Sequence, residues 1–148
     1  MILLDTNLLA RITNSNHPHC APSRRALNVL LAQGEQLIIV PQNLYEFWAV
    51  ATRKLGAPPT GQNGLGMTAN QASLWLHYFR RRFKLLPDRV DLVDRWHALV
   101  KTLGIKGLKA HDARLVAAMQ TFGIAQILTF NGNDFKGFSI TVIDPSSV

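Results

Sequence analysis

Acidic residues are scarce in this chain: nine Asp and Glu stand against sixteen Lys and Arg in 148 residues. Each carboxylate at a special position therefore needs a reason. Asp5 directly follows the apolar run Ile2-Leu3-Leu4, and Glu46 sits between Leu44 and Phe47 inside a helical apolar pattern. Asp112 heads the stripe that begins at Leu115, and Asp134 lies in the turn segment Thr129-Phe130-Asn131-Gly132-Asn133-Asp134-Phe135. Hard divalent cations such as Mg²⁺ or Mn²⁺ take oxygen ligands from several carboxylates. A carboxylate cluster also needs a cation, because like charges otherwise raise one another's pKa. The chemistry open to these four together is metal-assisted hydrolysis, with a metal-activated water attacking a phosphodiester.

Each residue alone has a plainer reading. Asp5 can cap a helix that starts near Leu8. Glu46 can face solvent or pair with Arg53. Asp112 suits a helix start, where free N–H groups favour an acid, and Asp134 suits an Asn-Gly turn. Only the constellation distinguishes the metal reading. His17, His19 and Cys20 carry soft ligands, but Pro18 and Pro22 place them in a loop. The single cysteine excludes an internal disulfide and a Cys-based zinc site. His111 reads as a helix-start or structural residue before a base. Gly61, Gly64 and Gly66 are not followed by Lys-Ser/Thr, so a phosphate loop is unsupported.

The elements that must position the four acids follow from periodicity. Ile2–Leu4 and Leu37–Val40 read as buried strands, Ile127–Thr129 and Ile140–Ile143 as strands, and Leu85–Pro87 as a short one. A helix carries Leu8, Leu9 and Ile12. Another follows the Pro18–Pro22 segment, with Ala26, Leu27, Leu30 and Leu31 inward and Gly34 at its end. Pro41 opens a helix with Leu44, Phe47, Trp48, Ala51 and Leu55 on one face, ended by Gly56. Residues 57–66 form a Pro/Gly loop, and Thr68 with Gln71 reads as a capping box. The helix it starts has Ala72, Trp75, Leu76, Phe79 and Phe83 inward. Asp91 opens a helix with Leu92, Trp96, Leu99, Val100 and Leu103 inward. Asp112 opens the last, with Leu115, Ala118, Met119 and Phe122 inward. Trp48, Trp75 and Trp96 are thus expected in the core. Apolar strands without alternation, each followed by a helix, predict an α/β fold with a parallel sheet covered on both faces. Ligands in such folds sit beyond the carboxyl ends of the strands, where Asp5 and Asp134 can converge.

No repeat or linker appears, so residues 1–148 are expected to form one domain. Apolar runs such as Leu37–Val40 are too short to span a bilayer. The opening lacks a basic region before its apolar stretch, so no signal peptide is read and a cytoplasmic location is expected. The net charge of +7 favours a polyanionic partner, a nucleic acid or an acidic protein, over and above solubility. Arg80, Arg81, Arg82 and Lys84 are either a solvated face or an RNA-binding edge.

Four segments together resemble the PIN-domain ribonucleases of the VapC toxin type. They are Met1-Ile2-Leu3-Leu4-Asp5-Thr6-Asn7, Pro41-Gln42-Asn43-Leu44-Tyr45-Glu46-Phe47, His111-Asp112-Ala113-Arg114-Leu115 and Leu128 to Phe135. The resemblance implies a PIN-like three-layer sandwich with a central parallel sheet flanked by helices. It implies that Asp5, Glu46, Asp112 and Asp134 form an Mg²⁺- or Mn²⁺-binding catalytic cluster, with Thr6, Asn7, Thr129 and Asn131 as its polar support. Some relatives carry an acid where Asn131 stands, which leaves open whether Asn131 or Asp134 lies nearer the metal. It further implies cleavage of RNA, an inhibitory antitoxin protein and a homodimer. Two other readings remain: a PIN-like nucleic-acid-binding module without turnover, and an aspartyl phosphatase or phosphotransferase using Asp5. The latter would want a second Asp where Asn7 stands.

Overall fold

The computed structural model describes residues 1–56 and 64–148. Ile2–Leu4 form β1, fully buried, and the chain turns at Asp5 into α1 (Thr6–Thr13). Next come α2 (Cys20–Ala32), β2 (Leu37–Ile39), α3 (Pro41–Thr52), α4 (Ala69–Arg82) and β3 (Lys84–Leu85). The second half supplies α5 (Leu92–Leu103), α6 (Lys109–Phe122), β4 (Gln126–Leu128) and β5 (Thr141–Ile143), with short 3₁₀ turns at Gly132–Phe135 and Pro145–Ser147.

The five strands form one sheet in the order β3-β2-β1-β4-β5, and every pairing is parallel. Strand pleating divides the core in two. Ile2, Leu4, Leu37, Ile39 and Leu128 pack with apolar residues of α1, α2, α3 and α4. Leu3, Ile38 and Ile127 point the other way, against Leu92 of α5 and Leu115, Val116 and Met119 of α6. The result is the helix–sheet–helix sandwich that two-sided apolar strands require. The chain runs from β1 outward through β2 and β3, then returns to lay β4 on the other side of β1. The β1–β4 seam is thus the topological switch point, where the carboxyl ends of open parallel sheets form a crevice.

Several element boundaries differ from the periodicity. Helix α2 starts at Cys20, inside the segment expected as loop, because Pro22 falls in its first turn, where no N–H is needed. Helix α3 stops at Thr52, and Leu55, 79 % exposed, is not on its buried face. Trp48, at 36 % exposure, lies at the rim of the core and not inside it. Leu103 is also exposed. Trp75 and Trp96 do pack against the two cores, Trp96 donating Nε1–H to Ala110 O at 2.8 Å. The capping box of α4 forms in both directions: Gln71 N donates to Thr68 Oγ1 and Thr68 N to Gln71 Oε1. Of the expected Pro/Gly loop, residues 57–63 lie outside the described residues.

Candidate active site

Asp5 and Thr129 follow β1 and β4, the two strands that flank the switch point. Their side chains close the seam: Thr129 Oγ1 donates to Asp5 Oδ2 at 2.6 Å. Asn7 Nδ2 donates to the same oxygen at 2.7 Å and to Thr129 Oγ1 at 3.0 Å. Asn131 contributes its backbone N–H, which donates to Thr129 Oγ1 at 2.9 Å, while its own side chain is exposed. Asp5 occupies the N-cap position of α1, yet its side chain makes no capping hydrogen bond. Its carboxylate is turned to the β1–β4 seam instead.

Glu46 lies on α3, and its two oxygens are held separately. Thr6 Oγ1 donates to Oε2 at 2.7 Å and Gln42 Nε2 donates to Oε1 at 2.7 Å. These donors, and not the anticipated Arg53, partner Glu46. The end of β1 is tied to α3 by Asn43, whose Nδ2 donates to Leu4 O at 3.0 Å and whose Oδ1 accepts from Val40 N–H at 2.8 Å. Gln42 is buried and also donates to His111 O at 2.9 Å, so α3 is fastened to the start of α6. Arg114 fixes the amide's orientation: Nη1 donates to Gln42 Oε1 at 2.8 Å and Nη2 to Asp88 Oδ2 at 2.6 Å.

Helix α6 begins at Lys109, so Asp112 is its fourth residue and does not open the helix as expected. The cause is Gly107-Leu108, which supplies the turn into the helix three residues earlier than the apolar stripe suggests. His111, exposed, presents its carbonyl to Gln42 and no ring nitrogen to a described partner. Asp134 sits in the 3₁₀ turn Gly132–Phe135. Glu46, Asp112, Asn133 and Asp134 line one open cavity of about 490 Å³, with Lys109 and His111 at its side.

Burial and mutual repulsion mark this group electrostatically. Burial pushes the Asp5 carboxyl up to about 6, against the pull of the Thr129 hydroxyl and the Thr6 N–H; the charge of Glu46 adds to the rise. Asp112 is pushed up to about 6 by burial first, then by the charges of Asp134, Asp5 and Glu46. Asp112 thus feels the other three acids, and Asp5 feels Glu46, at one end of the sheet.

The donors fit a hard divalent cation. They are all oxygens, and Asn7 Oδ1, beside Asp5, is buried without a hydrogen-bond partner, as an oxygen waiting for a cation or water would be. Among the described residues, no three His, Cys, Asp or Glu side chains stand close enough to hold one ion in common. Mg²⁺ does not demand that, since it keeps several waters and is bound through one or two carboxylates.

The other singled-out residues lie elsewhere. Arg80, Arg81, Arg82 and Lys84 are exposed at the end of α4 and in β3, at the far sheet edge. His19 stacks on Phe130 with ring centroids 4.0 Å apart, and Cys20 is buried with its thiol toward Ile12 O. Gln42, Arg114 and Asn133 escaped the sequence reading. Only Gln42 left a signal there: it stands four residues before Glu46, which places both on one helix face.

The chain belongs to the PIN domain family, whose model matches residues 2–139. No curated protein matches it. Solved structures do. A toxin–antitoxin complex from Klebsiella pneumoniae is 22 % identical with a TM-score of 0.61, covering 98 % of each chain. VapC20 of Mycobacterium tuberculosis, described as a sarcin-ricin-loop-cleaving toxin, is 17 % identical with a TM-score of 0.65, covering 95 % of this chain and 97 % of its own. FitAcB from Neisseria gonorrhoeae is 15 % identical with a TM-score of 0.69 and full coverage of both chains. At these identities the likeness concerns the fold.

Proposed function

We propose that the protein is a divalent-metal-dependent endoribonuclease, the toxin of a type II toxin–antitoxin pair, acting through Asp5, Glu46, Asp112 and Asp134. The observation that carries this is that Glu46, Asp112 and Asp134 line one cavity at the switch point of a PIN-domain sheet, with Asp5 at the end of the adjoining strand and near the charge of Glu46. The toxin–antitoxin assignment draws on the similar structures, several of which are toxin–antitoxin complexes. On this reading residues 1–148 are one domain, cytoplasmic, homodimeric and held in check by an antitoxin protein. Among the described residues no helix is long and apolar enough to cross a membrane.

Asp5, Glu46, Asp112 and Asp134 would hold Mg²⁺ or Mn²⁺, directly or through water. When bound, the ion would supply positive charge to polarise a phosphodiester and acidify an attacking water. The chain's own part is to fix the acids beforehand. Thr129 and Asn7 orient Asp5 through the same oxygen, which leaves Oδ1 free of side-chain donors. Thr6 and Gln42 hold Glu46 from both sides. Such preorganisation spares the site reorientation during reaction. Lys109 at the cavity wall adds positive charge near the place where a substrate phosphate would lie.

The test is cleavage of single-stranded RNA by antitoxin-free protein with Mn²⁺, with EDTA, and in an Asp112→Asn variant. Cleavage with Mn²⁺ alone, lost in the other two, is expected. Equal cleavage in EDTA would remove the metal, and RNA left intact under all conditions would favour a binding module without turnover.

A further inference from the structure

Glu46 forms part of two walls. One faces the carboxylate cavity; the other faces a cleft of about 410 Å³ between α1 and α3, bordered by Thr6, Asn7, Arg11, Ala49, Val50 and Arg53. The two arginines in this cleft are not used by the acids beside them, because Glu46 is satisfied by Thr6 and Gln42. Arg53 Nε donates to Ala49 O one turn back, which lays its guanidinium along α3. Among the described residues neither Arg11 nor Arg53 pairs with a carboxylate. Residues 57–63 contain no Asp or Glu that could supply one.

An aromatic margin continues past α1. Arg11 is close enough to His17 to help hold its pKa below the ordinary value, after burial and alongside His19. The His17 and His19 rings are 5.1 Å apart. His19 lies flat on Phe130, with 9° between the rings, and Phe130 directly follows Thr129. Two arginines, and beyond them an aromatic margin, therefore lead from α3, past Glu46, to the loop after β4. Four carboxylates repel a polyanion, so a strand can reach them only if flanking cations offset the repulsion. Guanidinium forks match phosphate oxygens in pairs, which suits Arg11 and Arg53 to backbone phosphates.

We infer that the α1–α3 cleft is the subsite that holds the RNA backbone on one side of the scissile bond, with Arg11 and Arg53 each taking a phosphate. This rests on the ribonuclease reading above and adds the direction in which the strand leaves the site. It also differs from an RNA-binding edge at Arg80, Arg81, Arg82 and Lys84.

The experiment measures binding of a fluorescent single-stranded RNA by anisotropy, in EDTA and an Asp5→Asn background so that nothing is cut. Arg11→Gln/Arg53→Gln is compared with Arg11→Lys/Arg53→Lys, after thermal melts confirm that both fold. Each lost phosphate contact lowers the log–log salt slope by about 0.7, so the Gln pair should lose about 1.4. Between roughly 50 and 200 mM salt, that slope difference means the parent loses about sevenfold more affinity than the variant. The Lys pair keeps the charge and should keep the slope. An unchanged slope in the Gln pair overturns the inference, as does an unchanged RNA slope accompanied by weakened binding of poly-glutamate, which would assign the cleft to an acidic protein. RNA cleavage by the parent with Mn²⁺ is scored separately, so failure of the ribonuclease reading is not confused with failure of the subsite.

Discussion

Asp5→Asn offers a test in which activity and stability should move in opposite directions. The Asp5 carboxyl titrates near 6 in the fold against 3.8 ordinarily, which at neutral pH corresponds to about 3 kcal/mol of destabilisation by the ionised form. Asn has nearly the same shape. Its oxygen can still accept from Asn7 Nδ2 and Thr129 Oγ1, the donors that now meet Oδ2. Its NH₂ group would no longer attract the nearby Thr6 and Asn7 N–H groups, a loss of about 1 kcal/mol. The metal-free variant should therefore be about 2 kcal/mol more stable than the parent at pH 8, or roughly 4–8 °C in Tm for a chain of this size. The sign depends on pH. A carboxyl whose folded pKa is raised contributes stability below its unfolded pKa and loses it as pH rises through the folded value. Near pH 4 and below the pKa difference contributes little, so the parent should be slightly the more stable; it should fall behind the variant as pH rises from about 4 to about 6, with the gap level above that. Melts in EDTA across that range measure the gap. Mn²⁺ should then close it by stabilising the parent more, because stabilisation follows affinity. A gap that is constant with pH, or a variant that melts lower at pH 8, would refute the account of Asp5 as a strained acid in a cluster.

Three further outcomes are expected. The Mn²⁺-induced rise in Tm of the parent should shrink as pH falls below about 6, since protons compete for Asp5 and Asp112, both raised to about 6; an undiminished rise at pH 5 would place the metal elsewhere. Gln42→Met should cost about 1–3 kcal/mol in urea unfolding, because it leaves His111 O, Glu46 and Arg114 without a buried partner; a cost near zero would mean that water replaces the amide freely. Replacing Arg80, Arg81, Arg82 and Lys84 with Gln should leave the salt slope of RNA binding within error of the parent if the strand follows the α1–α3 cleft, and a large drop would give the far edge a share of the grip.

The sequence made the centre of the sheet legible because β1 and β2 are short, apolar on both faces and punctuated by Asp5 and Pro41. Asp5 could be found for that reason: it is the first charge after a fully apolar run. The edges of helices were harder. Pro22 looks like a breaker but is harmless in a first turn, so α2 begins earlier than its sequence pattern suggests. Lys109-Ala110-His111 add nothing to an apolar stripe, so the pattern points to Asp112 as the start of α6 although the helix begins at Lys109. A 3.6 period gives the direction of a buried face but not its width, and Trp48 and Leu55 fell outside it. The fastening of the site was mostly hidden. Arg114 meets Gln42 across 72 positions, a contact set by how closely α3 approaches α6 and not by any local pattern.

Helix α5 is unlike its neighbours in how little it hides. Of Leu92–Leu103 only Leu92 is fully buried, while Val93 and Leu103 are exposed, and the helix packs chiefly on α6. Free energy of opening scales with the buried contacts that must be given up, so cooperative units within one fold can differ widely in stability. The amides of α5 would then exchange with solvent through sub-global excursions that leave the rest intact, whereas those of β1 and β4, wholly enclosed between two layers, would exchange only when the entire molecule unfolds. The protein would thus be thermodynamically uneven, with its candidate site at the ends of the slowest-opening strands and its most labile helix on the outside of α6.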